Sequence, residues 1–464
     1  MGFLMNKSLI FFIGFVLLLL SWRNQDIDVK PNIILINIDD LGWKDLGFMG
    51  SDYYNTPNID KLSQLGMQFS NGYAAAANCA PSRASLMTGK WPTHHGIYTV
   101  GSSKRGKSKD RLIIPTPNKT TLAQDETTLA QILNKDGYFT IHAGKWHLSD
   151  SPISFGFDLN IGGGHNGHPK SYYPPYKNVG INGDKYLTDQ IMEKAIESVD
   201  SVNEPFFLYY APYAVHTPIQ PIDSLLPNYE NEQSEIGQNN MGYATMIENL
   251  DRNIGLLIQN LNERRLFKNA LIIFTSDNGG LFGITNQHPL RAGKGSYYEG
   301  GIREPFFFVW QDKIRAKSKS NIPITNLDIL PTILACTGIE MNNDEYDGVN
   351  LLPILLDNKS ELDRPLFWHF PIYLQAYKNH NSENRDSLFR TRPGSVIRFG
   401  KWKLHYYFEQ NEIELYNLDD DIGEKNDLSK IETIKKKELL MLLQNWWKET
   451  NAPIPKERNP DYVE

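Results

Sequence analysis

Along most of this chain apolar residues come in short unbroken runs, each followed by a longer stretch where they recur every third or fourth position. Asn32 to Ile38, Tyr138 to Ala143, Phe206 to Ala211 and Ala270 to Thr275 are the runs. Continuous apolarity of this length predicts strands buried on both faces of a parallel sheet. Thr56-Pro57 with Leu62, Leu65 and Gly66 predicts a capped helix, and Thr127 to Lys135 a second one stopped by Asp136-Gly137. Met241 to Leu261 predicts a long amphipathic helix, and Asp328 to Cys336 an apolar core helix. Strands alternating with helices predict an α/β fold, a large and mainly parallel sheet sandwiched by helices. Ligands of such sheets bind beyond the carboxyl ends of the strands. The tail reads differently: Val396 to Phe399, Trp402 to Phe408 and Glu414 to Tyr416 predict antiparallel strands, and Ile431 to Trp447 a helix. A large domain over residues 30–358 and a smaller C-terminal α+β subdomain over residues 359–464 are therefore expected, with no internal repeat.

Composition narrows the class. With 40% hydrophobic and 22% charged residues, the 464-residue chain is globular in character. A net charge of −7 argues against a general nucleic-acid binder, but a local field can still favour an anionic substrate. Residues 1–24 read as an export signal: Lys7 is the positive start, and Leu9 to Leu20 is an apolar run too short for a comfortable membrane span. Ser21-Trp22-Arg23 is a poor cleavage site, so export to the periplasm or outside is expected, with either cleavage or retention as an N-terminal anchor. The two cysteines, Cys79 and Cys336, have no zinc-type spacing and are not expected to pair.

The chemistry-bearing residues gather at predicted strand ends. Asp39-Asp40 follows the first strand and Asp277-Asn278 a later one. An isolated Asp-Asp pair is usually a solvated loop, but two such oxygen-rich sets suit one hard divalent cation, calcium or magnesium rather than zinc. Lys145 and His147 close a third strand, and His216 follows a fourth. Cys79-Ala80-Pro81-Ser82-Arg83-Ala84-Ser85-Leu86-Met87-Thr88-Gly89 reads as a helix with proline in its first turn and a glycine stop. That places position 79 just ahead of a helix N-terminus, where an anion is favoured, with Arg83 one turn in.

This run resembles the C-x-P-S-R-x-x-x-x-T-G signature of the formylglycine-dependent (type I) sulfatases, members of the alkaline phosphatase superfamily. The resemblance covers roughly residues 30–430. It takes in Gly144-Lys145-Trp146-His147, Lys294 within Arg291-Ala292-Gly293-Lys294-Gly295-Ser296, Asn55 to Asp60, and Leu415-Tyr416-Asn417-Leu418 with Asp421 and Glu424. Arg364 to Pro371 is similar to bacterial carbohydrate sulfatases. The resemblance implies an alkaline-phosphatase-like fold and one calcium held by Asp39, Asp40, Asp277, Asn278 and the residue formed from Cys79. It also implies a formylglycine made from Cys79 by a maturation enzyme, whose hydrate attacks the sulfur of a sulfate ester. By the same resemblance Arg83 and the cation help ionise that hydrate, and Lys145 and Lys294 neutralise sulfate oxygens. His216 is the expected general acid, and His147 takes the proton that regenerates the aldehyde.

Two features lie outside these motifs. Lys104, Arg105, Lys107, Lys109 and Arg111 crowd one loop, which is either a solvated mobile segment or a clamp for a polyanion. Gly162-Gly163-Gly164-His165-Asn166-Gly167-His168 is a flexible stretch whose two imidazoles are expected to contact the sugar, with His369 in the tail as a further candidate. The expected substrate is thus a sulfated polysaccharide or oligosaccharide. A phosphomonoester or phosphonate-ester hydrolase of the same superfamily and a non-catalytic binder of sulfated glycans are the alternatives. The sugar, the sulfate position and the oligomeric state are left open.

Overall fold

Asn32–Ile38 (β1) is the centre of the fold, with all seven residues buried. The computed structural model describes residues 30–464 apart from 235, 358–360 and 378–382. The expected export segment at residues 1–24 lies outside the described residues, among which no helix is long and apolar enough to cross a membrane. Eight further strands join β1: Met67–Tyr73 (β2), Phe139–Gly144 (β3), Leu159–Ile161 (β4), Phe206–Ala211 (β5), Ala270–Ser276 (β6), Arg303–Trp310 (β7), Ser318–Ser320 (β8) and Ile324–Thr325 (β9). They form one sheet in the order β4-β3-β5-β1-β6-β7-β2-β8, with β9 also on β2. Pairing is parallel throughout except at β7, which runs antiparallel to both β6 and β2.

Among the described residues, the α-helices of seven residues or more are Pro57–Ser63 (α1), Cys79–Thr88 (α2), Leu129–Lys135 (α3), Leu187–Ser201 (α4), Met241–Glu263 (α5), Ile329–Thr337 (α6) and Thr433–Glu449 (α7). Strand alternation divides the core. Ile34, Ile36 and Ile38 pack with α1, α4 and α5 on one face, while Ile33 and Leu35 pack with α2, α3 and α6 on the other. The mainly parallel, doubly covered sheet is the architecture expected from the apolar runs. β2, β7 and α4 were not anticipated, and α2 begins at Cys79 itself rather than after it.

The tail forms an antiparallel sheet in the order β10-β13-β14-β15, built of Leu366–Phe370 (β10), Gly394–Phe399 (β13), Trp402–Tyr407 (β14) and Glu412–Asn417 (β15), with Leu374–Gln375 (β11) and Phe389–Thr391 (β12) paired beside it. Leu439, Leu443, Trp446 and Trp447 of α7 close over this sheet. The sheet starts at Leu366, a little beyond the expected boundary at 358/359. It is fastened to the large sheet by a buried ionic cluster. Lys403 Nζ lies 2.8 Å from Glu299 and 3.0 Å from Glu424, and Glu299 also accepts from Tyr73 and Arg303.

Candidate active site

Each functional side chain arrives from the carboxyl end of a strand. β1 delivers Asp39 and Asp40, β6 delivers Asp277 and Asn278, β3 delivers Lys145 and His147, β5 leads to His216, and β2 leads to α2 with Cys79 and Arg83. Asp40 and His147 take the left-handed backbone conformation, with φ of 60° and 65°. His147 therefore reaches the site through a kink after the strand and not by strand alternation with Lys145.

Cys79 Sγ is buried 3.6 Å from Asp39 Oδ1, 3.7 Å from Asp40 Oδ1 and 3.2 Å from Lys294 Nζ. Three cations answer three carboxylates around it. Lys145 Nζ donates to both oxygens of Asp39 at 2.7 and 2.8 Å, and Lys294 Nζ to both of Asp40 at 2.5 and 2.7 Å. Arg83 Nε donates to Asp277 at 2.7 Å, and its Nη1 donates to the Lys145 carbonyl at 2.9 Å. Arg83 is thus a buried clamp on two strand ends.

Burial dominates the electrostatics. It lifts Asp39 to about 7 against the pull of Lys145, with Asp277 and Asp40 adding to the rise. Burial pushes the Cys79 thiol up to about 12, although Lys145 and Lys294 act in the other direction. Burial would raise Asp40 too, but Lys294, His216 and Lys145 hold it below the usual carboxylate range. Burial and then Lys294 depress His216 to about 3, with Asp40 partly offsetting them; its Nε2 lies 3.5 Å from Asp40. His147 is likewise depressed, by burial and by Lys145.

The oxygen donors among the clustered groups, Asp39, Asp40 and Asn278, suit a hard cation. Ligand atoms of Asp39, Asp40, Cys79 and His216 lie within 4.8 Å of one another. Asn278 donates its amide to Asp40 at 2.8 Å, while its buried carbonyl oxygen receives no hydrogen bond. An acceptor oxygen left unpaired beside clustered carboxylates is suited to a metal ion. Asp277, expected as a ligand, accepts from Arg83 and from the Asp40 amide at 3.2 Å.

Above Cys79 opens a pocket of about 500 Å³. His147, His165, His168, His216 and Lys294 line it. His168 stacks on His216 with ring centroids 5.7 Å apart, and His165 meets His147 edge-on at 6.4 Å. His369 does not join them, which corrects its expected place at the sugar. It is buried in the C-terminal sheet with its ring nitrogens held by Ser395 Oγ at 2.7 Å and the Pro453 carbonyl at 3.1 Å. Of the basic residues in the loop over 101–111, only Arg105 lines the pocket. Lys104, Lys107 and Lys109 are exposed, and Arg111 is buried under the loop. Tyr377 and Arg390 also line the pocket and had no sequence signal, because they arrive from the tail on no recognisable motif. Asp45 was missed as well. It accepts from the Gly42 amide, Tyr243 and Gln287 at 2.7–2.8 Å and so fixes the turn that follows Asp40.

A family model described as Sulfatase matches residues 31–339. The chain belongs to the sulfatase family. A second family model, for the C-terminal part of N-sulphoglucosamine sulphohydrolase, matches residues 293–450. The chain is 31% identical to a sulfatase of Formosa agariphila, over 89% of this chain and 87% of that protein. It is 32% identical to human N-acetylgalactosamine-6-sulfatase, over 73% and 68% respectively. Among solved structures it is similar to Ps i-CgsB in complex with k-i-k-neocarrahexaose, with a TM-score of 0.74 and 31% identity over 91% of this chain and 98% of that one. The phosphonate monoester hydrolase of Agrobacterium radiobacter shares the fold alone, at 18% identity and a TM-score of 0.65 over 91% and 96%. As a sulfatase the protein is a sulfuric ester hydrolase, which sets aside the phosphoester and binding-only alternatives.

Proposed function

We propose that the protein is an exported enzyme that removes sulfate esters from a sulfated polysaccharide or its oligosaccharides, with one calcium and a formylglycine made from Cys79 by a maturation enzyme. The observation that carries this reading is the floor of the pocket, where Cys79 sits among Asp39, Asp40 and Lys294 inside a cage of balanced charge. The hydrated aldehyde would supply the nucleophile, and the cation would polarise it and the sulfate oxygens. Asp39, Asp40, Asp277 and Asn278 would hold that cation. Lys145 and Lys294 are aimed to neutralise sulfate charge, an oxyanion-hole type of stabilisation. His216 stands at the pocket wall with Nδ1–H directed at the Thr217 carbonyl, 2.7 Å away, so its Nε2 can hand a proton to a leaving alkoxide only as the imidazolium, a form that the negative charge of a bound sulfate ester would favour against the pull of burial and Lys294. His147 faces the same space and is placed to withdraw a proton from position 79. Imidazoles His165 and His168 on the rim suit sugar hydroxyls.

Two measurements test this. Peptide mass mapping of protein co-expressed with a maturation enzyme should find an aldehyde at position 79, and elemental analysis should find about one calcium per chain. Desulfation of carrageenan or glycosaminoglycan oligosaccharides should then outrun that of a small aryl sulfate. An unmodified Cys79 in fully active enzyme would overturn the nucleophile assignment, and turnover of aryl sulfates alone would overturn the saccharide assignment.

A further inference from the structure

The pocket has two unlike walls. Imidazoles His147, His165, His168 and His216 come from the β3 and β5 side of β1, whereas Lys294 follows β6 on the other side. Two guanidiniums from segments distant in sequence also line the pocket: Arg390, held on the Lys294 backbone, and Arg105, whose neighbour Gly106 packs so closely on Phe389 that a Cβ there would fall 2.7 Å from that ring. Asp40 is the only carboxylate among the described residues lining the pocket, and Lys294 already holds both of its oxygens. No described carboxylate forms an ion pair with Arg105 or Arg390. Backbone carbonyls hold them instead: Arg105 Nη2 donates to Val100 at 2.6 Å, and Arg390 donates to Gln375 at 3.0 Å and Lys294 at 3.2 Å.

The position of Arg390 is built. Its guanidinium lies 3.7 Å from the Tyr377 ring centroid, a cation–π contact. A Cβ at Gly295 would come within 2.8 Å of its Nη1, and Gly295 has a φ of +84°, so the glycine both makes the turn and clears space for the arginine. Burial, and beyond it the neighbouring Arg105, pull Arg390 down from the ordinary guanidinium range. Two like charges that line one pocket, on an acidic protein and with no described carboxylate paired to either, are costly unless an anion joins them.

We propose that Arg105 and Arg390 form a second anion subsite beside the reactive sulfate, which reads a further sulfate or carboxylate on the same saccharide. A guanidinium fork matches either group in a bidentate manner. The inference rests on the saccharide reading and narrows it: the favoured substrates carry a second anionic group near the ester that is cut. Arg390 would contribute from the C-terminal part of the chain, so that the subsite is complete only with the tail in place.

The test uses inhibition of 4-nitrophenyl sulfate hydrolysis, so that a saccharide reports binding whether or not it is desulfated. The competitors are N-acetylgalactosamine 6-sulfate with one anion, the 4,6-disulfate, and a disaccharide joining the 6-sulfate to glucuronate. The inhibition constants of the two dianions should lie about tenfold or more below that of the monoanion. In Arg105→Gln, Arg390→Gln and the double variant this ratio should fall towards one, and Arg390→Lys should restore part of it. Exposed Lys107→Ser should keep the wild-type ratio. If Arg390 only anchored the Lys294 backbone, Arg390→Gln would weaken all three competitors alike and leave the ratio intact. That result, an unchanged ratio in Arg105→Gln, or a wild-type ratio near one overturns the proposal. Loss of the ratio for only one dianion identifies which anion the subsite reads. Saccharides that bind with the predicted ratio but are never desulfated would overturn the saccharide reading while supporting the subsite.

Discussion

Gly167 shows how tightly a single position conditions the chemistry. A Cβ there would fall 2.4 Å from His147 Cε1 and 2.6 Å from its Nε2, so the histidine-bearing loop rests directly on the His147 imidazole. Gly167 lies outside the left-handed region, so its constraint is space alone. Gly167→Ala should push His147 out of line and lower kcat about tenfold or more, for aryl and saccharide sulfates alike, since small misplacements near reacting groups carry such losses. The unfolding midpoint should barely move, because the loop is largely at the surface. Equal kcat in the variant would show that His147 tolerates displacement and is not the proton acceptor. His165 and His168 sit on the same loop, and the hydroxyl-reading role proposed for them would instead appear in KM for saccharides only.

At the scale of elements, what was legible in the sequence follows from what packing requires locally. β1, β5 and β6 are buried on both faces, so their apolar runs are unbroken and their polar ends stand out, which located Asp39, Asp40, Asp277 and Asn278. β2 was hidden because it lies beside the antiparallel β7 with a bulge between Phe69 and Gly72, and its run Met67–Tyr73 mixes polar and apolar residues. Arg390 and Tyr377 were hidden for another reason: only chain topology brings the tail over the pocket. The basic loop was legible in composition but not in role. Arg111 Nη1 donates to the carbonyls of Lys104, Arg105 and Gly106 at 3.0, 3.4 and 2.7 Å, and Asn459 ties Ser108 and Arg111 to the C-terminal segment. The loop is thus a folded support that presents Arg105, and neither of the two expected readings describes it fully. Arg111→Ala should leave those three carbonyls without their donor and open the loop. Limited proteolysis should then cut within residues 101–111 faster than in wild type, while Lys109→Ser should not change the cutting rate. Buried hydrogen bonds to a charged donor are worth roughly 1.5–3 kcal/mol, enough to raise local opening by about an order of magnitude or more.

At the scale of the whole molecule, the two sheets act as one because charge is buried between them. Lys403 has no exposed side-chain surface and pairs with Glu299 and Glu424, while His405 Nε2 meets Glu424 at 3.0 Å. Removing one partner would strand buried charge, so this cluster holds the tail, and with it Arg390, in register over the catalytic sheet. Two of the histidines buried away from the pocket, His95 and His369, contribute to the acid limit of this assembly. His95 accepts from the Ile97 amide at Nδ1, 3.1 Å away, and its Nε2 faces Ser85 Oγ at 3.1 Å. His369 faces Ser395 Oγ and the Pro453 carbonyl. Both settings suit a neutral ring, and burial depresses each histidine to about 3. The sign follows from proton uptake. Above the ordinary histidine value of about 6.5 neither state binds a proton, and these groups leave stability unchanged. Below it the unfolded chain takes up protons that the native rings refuse, so stability is lost as pH falls from about 6.5 towards about 3. Each ring contributes a slope of up to roughly 1.4 kcal/mol per pH unit across that window. His369→Gln should therefore cost stability at neutral pH, through its lost contacts with Ser395 and Pro453, yet show a shallower fall on acidification. Urea unfolding of the two proteins between about pH 7.5 and about pH 4.5 should give curves that converge as the acid limit nears. Parallel curves would mean that His369 is protonated in the native state, and the acid limit would then belong to the remaining buried groups.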